Sequence, residues 1–300
     1  MNIQSLSIVV HNKACINHCA SCPSRMHDNN YQMLFDENRP DFDLYLKDYM
    51  KRLEFARDNG CNTLMLTGTS EPQQNRRFLT LFGMMMQMMD TPFRSIEMQC
   101  TGALLDRDYL TFLRRHVGIT TMALSVFSLD DEENMRIINP PKNVWINIRE
   151  VAKMVKEAGM TLRMCLNLTS HFDYYSRNVE DIWGSPENLF AIMKQTYGAD
   201  QVTLRVLYAG EGNTPEDIWV RDNAARKDTV TALREYVVSE GTLVGILPYG
   251  ACKYDVAGMS VVIDSDSMGK EQAADNYKYL ILRPDCRLYS SWDNTGSLVF

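Results

Sequence analysis

No run of 18 apolar residues occurs anywhere in the 300-residue chain, so the sequence offers no helix able to span a bilayer. The first residues, MNIQSLSIVVHNKAC, carry no basic stretch ahead of their short apolar run and no small-residue cleavage site. They read as a first strand and not as a signal peptide, which makes a cytoplasmic location the expectation. An excess of positive charge is also missing. Lys and Arg total 31 against 38 acidic residues, a net charge of −7, which argues against long nucleic acid as a partner. Glycine and proline are sparse at 16 and 10, and no low-complexity linker divides the chain, so collagenous, disordered and beads-on-a-string readings fall away. Eight cysteines without a secretory signal argue against a disulfide scaffold and leave metal binding or buried thiols.

What is present is a rhythm. Short apolar runs at Leu6–Val10, Thr63–Thr67, Ser95–Cys100, Thr121–Val126, Thr161–Leu168 and Gln201–Tyr208 have the length and β-branched content of buried strands. Between them lie stretches with helical spacing: Asp43–Asn59 with Asp43 as N-cap, Arg76–Met89, Asp106–His116, Val144–Ala158 and Pro186–Tyr197. Alternation of this kind predicts parallel βαβ units with crossover helices covering the sheet. Beyond Tyr208 the pattern changes. AGEGNTPEDIW reads as a turn-rich connection, Asp222–Ser239 as one long helix, and the remainder as short strands. YLILRPDCRLYSSW reads as a hairpin closed at Pro284-Asp285. The fold expected is therefore α/β, with residues 1–208 forming the main body and 209–300 a small C-terminal α+β extension capping it.

The most informative segment follows the first strand: Cys15-Ile16-Asn17-His18-Cys19-Ala20-Ser21-Cys22, a C-x3-C-x2-C spacing. In a chain of this length and cysteine content that spacing arises by chance about 0.006 times. Zinc is one candidate, since His18 completes a Cys3His set, but no second C-x2-C occurs and zinc ribbons draw on two separated pairs. Iron–sulfur ligation fits better, because three local thiolates can wrap one face of a cubane and leave one iron open for chemistry.

These residues resemble the hallmark of the radical S-adenosylmethionine (SAM) enzymes, a C-x3-C-x2-C loop after the first strand of a partial (β/α)6 TIM-like barrel. The resemblance implies a [4Fe-4S] cluster on Cys15, Cys19 and Cys22, with S-adenosyl-L-methionine chelated at the free iron. It implies reductive cleavage to methionine and a 5′-deoxyadenosyl radical that abstracts hydrogen from a small-molecule, nucleotide or peptide substrate. An electron donor such as flavodoxin or ferredoxin is implied as partner. One departure is Ser21, where many members carry an aromatic or aliphatic residue that packs near the adenine; Pro23 or Met26 is then a candidate for that contact.

Thr67-Gly68-Thr69-Ser70-Glu71-Pro72 follows the second strand and is similar to the family's G-G-E-P segment, with Thr69 and Ser70 in place of its two glycines. By that likeness Thr69, Ser70, Glu71 and Pro72 meet the SAM ammonium; taken alone, the segment is an ordinary turn with Ser70 as a helix cap. Ser125, Ser128 and Asn167 stand at later strand ends, where family members bind the SAM ribose and carboxylate. Arg205 and Arg163 lie within strands, where an unpaired charge is costly, so each is either a pocket residue or half of an internal salt bridge. Arg76 and Arg77 either face an anionic substrate group or begin a solvated helix, and His171, Tyr174 and Tyr175 sit in a loop at the barrel mouth. Organisation is closest to the molybdenum-cofactor and peptide-maturing branches, but only Cys252 and Cys286 lie in the C-terminal region, too few for an auxiliary cluster. Cys61, Cys100 and Cys165 read as buried small hydrophobes. Tyr254–Met268 brings Asp255, Asp264 and Asp266 close together in sequence, a strand end or a substrate contact. The alternative function is a non-catalytic zinc- or iron–sulfur-binding protein with a regulatory or redox-sensing role.

Overall fold

The computed structural model describes residues 2–10, 12, 14–26, 45–176, 184–210, 212–247, 251–264, 276–292 and 294–300. The apolar runs become strands β1 (Asn2–Val9), β2 (Thr63–Thr67), β3 (Ser95–Cys100), β4 (Thr121–Val126), β5 (Thr161–Leu168) and β6 (Gln201–Val206). Each pairs in parallel with the next. The crossovers carry α1 (Leu46–Asp58), α2 (Arg76–Met88), α3 (Arg107–Phe112), α4 (Asp131–Ile138), α5 (Ile148–Glu157) and α6 (Pro186–Gln195). The molecule is thus a mixed α/β protein built on a parallel sheet, as the alternation predicts. The expected Asp43 cap lies outside the described residues. Asn147 and Ser185 cap α5 and α6 by accepting from the N–H groups of Glu150 and Asn188, which gives these helices defined starts.

One expected helix is two. The stretch Asp222–Ser239 is broken near its start: Asp222 and Asn223 end α7 (Pro215–Asn223), and the rest falls in α8 (Lys227–Glu240) after a break. Ala224 is extended and bridges to Thr169, and the N–H of Ala225 donates to Leu168 O at the last residue of β5, so from Ala225 a sheet bond takes the place of a helical one. The TPED stretch, which reads as turn, opens α7 instead: Pro215 stands at its first position, and Thr214 and Asp217 form a reciprocal capping box. Asp217 is fully buried and also accepts from Gly210 N–H at 2.8 Å, folding the loop after β6 back onto the helix start.

The C-terminal strands are β7 (Thr242–Ile246), β8 (Cys252–Val256), β9 (Met259–Asp264), β10 (Asn276–Leu282) and β11 (Leu288–Tyr289). Among the described residues all eleven strands join one sheet in the order β11-β10-β1-β2-β3-β4-β5-β6-β9-β8-β7. β10 pairs in parallel with β1 and β9 in parallel with β6, so the C-terminal strands extend both sides of the six-strand body. The hairpin expected around Pro284-Asp285 is present as β10–β11.

Side-chain alternation gives the sheet two unlike faces. Leu66, Met98, Leu124, Leu166 and Leu204 belong to the face that joins Leu53, Phe82, Leu113, Val155 and Phe190 from the helices in one buried core. The opposite face is polar. Gln99, Ala123, Arg163, Gln201 and Ser260 form one lateral row across it, and Asn167, Arg205 and Asp264 form another nearer the C-terminal ends. On this face, at the β1 side, Val9, Ile281 and Tyr289 make a second, small apolar cluster with Tyr279 and Trp292 against it. Met85, Met86 and Met89 pack in the main core, as methionine usually does, whereas Met84 and Met88 are exposed. No helix among the described residues is long and apolar enough to cross a membrane.

Candidate functional site

The cysteine loop leaves β1 at the C-terminal edge of the sheet. Cys15, Cys19 and Cys22 are free thiols, each half-buried. Burial pushes the Cys15 and Cys19 thiols above their ordinary range, strongly so at Cys19. Neighbouring thiols and Glu71 add to the rise at both, which places the three sulfurs within electrostatic reach of one another. The backbone N–H groups of Asn17 and Glu71 pull the Cys15 thiol down against its burial. The Cys22 sulfur and the Ser24 hydroxyl are 3.0 Å apart. Among the described residues no three His, Cys, Asp or Glu side chains converge as ligands of a single ion would. A cubane asks for something different: each of its thiolates holds its own iron, so grouped but non-convergent sulfurs suit it. A set of thiols that repel one another as anions is also the donor chemistry that a cationic iron core stabilises. The residues present fit such a group.

The loop is held from several sides. His18 N–H donates to Ile138 O and Asn139 O, and Ala20 N–H to Ile137 O, fixing it to the C-terminal end of α4. Arg25 donates to Asn17 O at 2.9 Å and faces Glu216 of α7 at 3.7 Å, so its guanidinium ties the loop to the C-terminal region while pulling the Cys19 thiol downward against its burial. Ser21 is buried, Pro23 opens a short 3-10 turn and Met26 is buried at its end.

The segment after β2 is closer to the cysteine loop than a simple turn requires. Gly68 holds φ +147°, and a Cβ there would stand 3.3 Å from the backbone of Val10, so glycine lets the two strand exits approach. Ser70 does not cap a helix. Its hydroxyl accepts from Asn12 Nδ2 at 2.8 Å, while the cap of α2 is Asn75, which accepts from Phe78 N–H. Thr69 is half-buried, and Pro72 is buried at the start of the 3-10 turn Pro72–Gln74. Glu71 turns inward: it is buried, and its carboxylate accepts from Thr101 N–H and from Gln73 Nε2. Burial pushes its carboxyl above the usual range, against hydrogen bonds from Thr101, Gln73 and Asn17 that pull it down.

Ser125, Asn167 and Arg205 lie on the polar face at the C-terminal halves of three adjacent strands. Asn167 is buried, with only long contacts from Nδ2 to Val126 O and Cys165 O, at 3.5 and 3.4 Å. Arg205 faces Asp264 at 3.9 Å, and its buried Nε has no hydrogen-bond partner. Ser128 lies beyond β4, buried, where it accepts from Asp130 N–H. Arg163 is the internal salt bridge: it pairs with buried Glu97 and donates to Gln201 at 2.8 Å. Arg76 stacks over the rings of Tyr109 and Phe112, at 5.2 and 4.6 Å, which accounts for it without an anionic ligand. His171 stands 3.7 Å from Glu133, and Tyr174 meets Tyr175 edge to face. Asp255 and Asp264 are far apart along the β8–β9 hairpin: Asp255 accepts from Gly258 N–H at its turn, and Asp264 lies beside Arg205, with Asp266 outside the described residues. Cys61, Cys100 and Cys165 are buried as expected. Sequence reasoning missed Asn17, Thr101 and Gln74, which hold the loop, and Gln73, which braces Glu71; only the polarity of Q-Q directly after Glu71-Pro72 hints at the glutamines.

The family model for the radical SAM superfamily matches residues 9–182. That span is more than half of the chain and contains the cysteine loop. The chain belongs to the radical SAM superfamily. It is an enzyme of that superfamily, and the non-catalytic alternative gives way. Among solved structures, it is similar to anSMEcpe with bound AdoMet, at TM-score 0.56 and 14% identity over 97% of this chain and 75% of that one. A complex of anSMEcpe with AdoMet and the Cp18Cys peptide matches at TM-score 0.50 and 14% identity, over 78% and 59%. Coproporphyrinogen III oxidase (HemN) from Escherichia coli, a radical SAM enzyme, matches at TM-score 0.50 and 15% identity over 82% of this chain. The chain spans 55% of HemN's length. At such identities the likeness is one of fold. No curated protein matches the sequence.

Proposed function

We propose that this enzyme holds a [4Fe-4S] cluster on Cys15, Cys19 and Cys22 and uses it to cleave S-adenosyl-L-methionine reductively. The observation that carries the reading is the grouping of three free thiols, at C-x3-C-x2-C spacing, in one loop after β1. When bound, the cluster and SAM supply an electron and a 5′-deoxyadenosyl radical that abstracts hydrogen from substrate. The protein's part is to bind, orient and shield. Cys15, Cys19 and Cys22 donate thiolates, and Arg25 offsets their charge. The backbone of Thr69, Ser70, Glu71 and Pro72, beside the loop, offers polar groups to the SAM ammonium, while the Glu71 side chain braces the segment from within. Ser125, Asn167 and Arg205 line the neighbouring polar face and suit the ribose and carboxylate; the long contacts of buried Asn167 Nδ2 leave that amide free to turn to a ligand. Ser128, already accepting from Asp130 N–H, lies at the edge of that group.

The substrate is a small molecule, a nucleotide or a peptide, the last arm supported by the peptide-bound anSMEcpe complex. A one-electron carrier of the flavodoxin or ferredoxin type supplies the electron. We place the enzyme in the cytoplasm, where reducing conditions keep eight free cysteines as thiols. Residues 1–208 carry the cofactor machinery and 209–300 extend its sheet. The test is anaerobic reconstitution: a brown protein with about four irons that releases 5′-deoxyadenosine with dithionite and SAM. Cys19→Ala is expected to abolish release; a full yield from that variant overturns the ligand assignment.

A further inference from the structure

The two ends of the cysteine loop are secured differently. Around Cys19 and Cys22 the chain holds itself, with Cys22 N–H donating to Cys19 O at 3.2 Å and Arg25 N–H to Cys22 O at 3.0 Å. α4 adds the bonds to His18 and Ala20. Cys15 has no such turn. The peptides on either side of it, at Ala14 and Ile16, find their partner in a side chain. Gln74 Oε1 accepts from Ile16 N–H at 2.9 Å, and Gln74 Nε2 donates to Ala14 O at 3.0 Å. One amide thus makes both bonds that a neighbouring strand would make to the residues on either side of Cys15. The next residue pair completes the hold. Asn17 is buried and donates from its side chain to Thr101 Oγ1, just past the end of β3, at 2.9 Å.

Resting on the cluster reading above, we infer that Gln74 is the positioning residue of the Cys15 corner, holding that ligand's backbone by a two-point amide clamp while Cys19 and Cys22 are held by the loop itself. Glutamine is required by the geometry. The clamp needs a donor and an acceptor on one planar group, and a reach that places both beside an extended backbone. Outer partners of metal ligands act on affinity and on the cluster's electronic state, because they fix the orientation of the ligating atom and its hydrogen bonds.

The experiment uses the full chain, reconstituted anaerobically, as wild type, Gln74→Met and Gln74→Asn. Methionine matches glutamine in length without hydrogen bonds, and asparagine keeps the amide one methylene too short; should Gln74→Met fail to fold, Gln74→Asn carries the test. Gln87→Met, an exposed change on α2, controls for the substitution itself. Iron release to a chelator and the electron paramagnetic resonance spectrum of the reduced cluster are read alongside the thermal midpoint of each apoprotein. The expected result is release about tenfold faster in both Gln74 variants with a shifted spectrum, and apoprotein midpoints within about 2 °C of wild type. Release rates and spectra matching wild type overturn the clamp while leaving the cluster in place. A wild-type chain that takes up no iron overturns the cluster reading, and the clamp with it.

Discussion

Arg163 sits well below the end of β5, and its guanidinium reaches across β4 to Glu97 on β3. Ala123, the small residue directly beside it on β4, leaves the space for that reach. Glu97 is 1% exposed, and among the described residues its carboxylate meets this guanidinium and the amide of Gln99, which donates at 3.1 Å. Removing the cation leaves a buried, uncompensated carboxylate, whereas replacing both members by apolar side chains of similar volume does not. Arg163→Met is therefore expected to cost about 3 kcal/mol in urea unfolding, and Arg163→Met with Glu97→Met much less. An equal loss in the double variant would show that packing, and not charge pairing, sets the cost. In the sequence the arginine was visible as an internal charge with two readings. The partner that decides between them lies 66 residues away and on a non-adjacent strand, beyond any local pattern.

At the scale of elements, α2 and the segment after α3 show how closely the helices must pack to keep the mouth in place. α3 runs into a π turn at Leu113–Val117, ending at Gly118 with φ +86°. Gly83, in the middle of α2, lies under that turn, and a Cβ on it would stand 2.1 Å from His116 O. Helix propensity favours alanine there by about 1 kcal/mol, but a backbone carbonyl at that distance cannot move aside without shifting the whole turn. Gly83→Ala is expected to destabilise by about 2 kcal/mol net, measured by thermal unfolding. A stabilised variant would mean that α2 slides freely against the turn. Strand positions were legible because β-branched runs and helical spacing are local signals, and their boundaries shifted by only a few residues. The division of Asp222–Ser239 was not legible. The sequence there is helix-compatible throughout, and the break at Ala224 exists only because Leu168 and Thr169 at the end of β5 offer it sheet bonds.

For the molecule as a whole, the placement of β10 matters most. This strand comes late in the chain yet lies beside β1, whose other neighbour is β2, so β1 is an interior strand. Leu280 and Leu282 are fully buried in the same core as Leu6 and Ile8. A chain ending before Asn276 would bare the whole β1 edge, with Ile3, Leu6 and Ile8 losing cover, in a strand that leads directly into the cysteine loop. Such a truncation is expected to be insoluble or to retain no iron on reconstitution; a soluble truncation with full iron content would show that β1 and the loop stand without β10. The spacing of Cys15, Cys19 and Cys22, the βα rhythm and the small residues at strand exits were determined by the sequence alone, because each depends on neighbours a few positions apart. The tertiary structure decided which strands flank β1 and β6, that Glu71 faces inward, and that Gln74 rather than a strand holds Cys15. Those outcomes turn on which distant peptide groups are left unpaired when the sheet closes, and no local pattern records that.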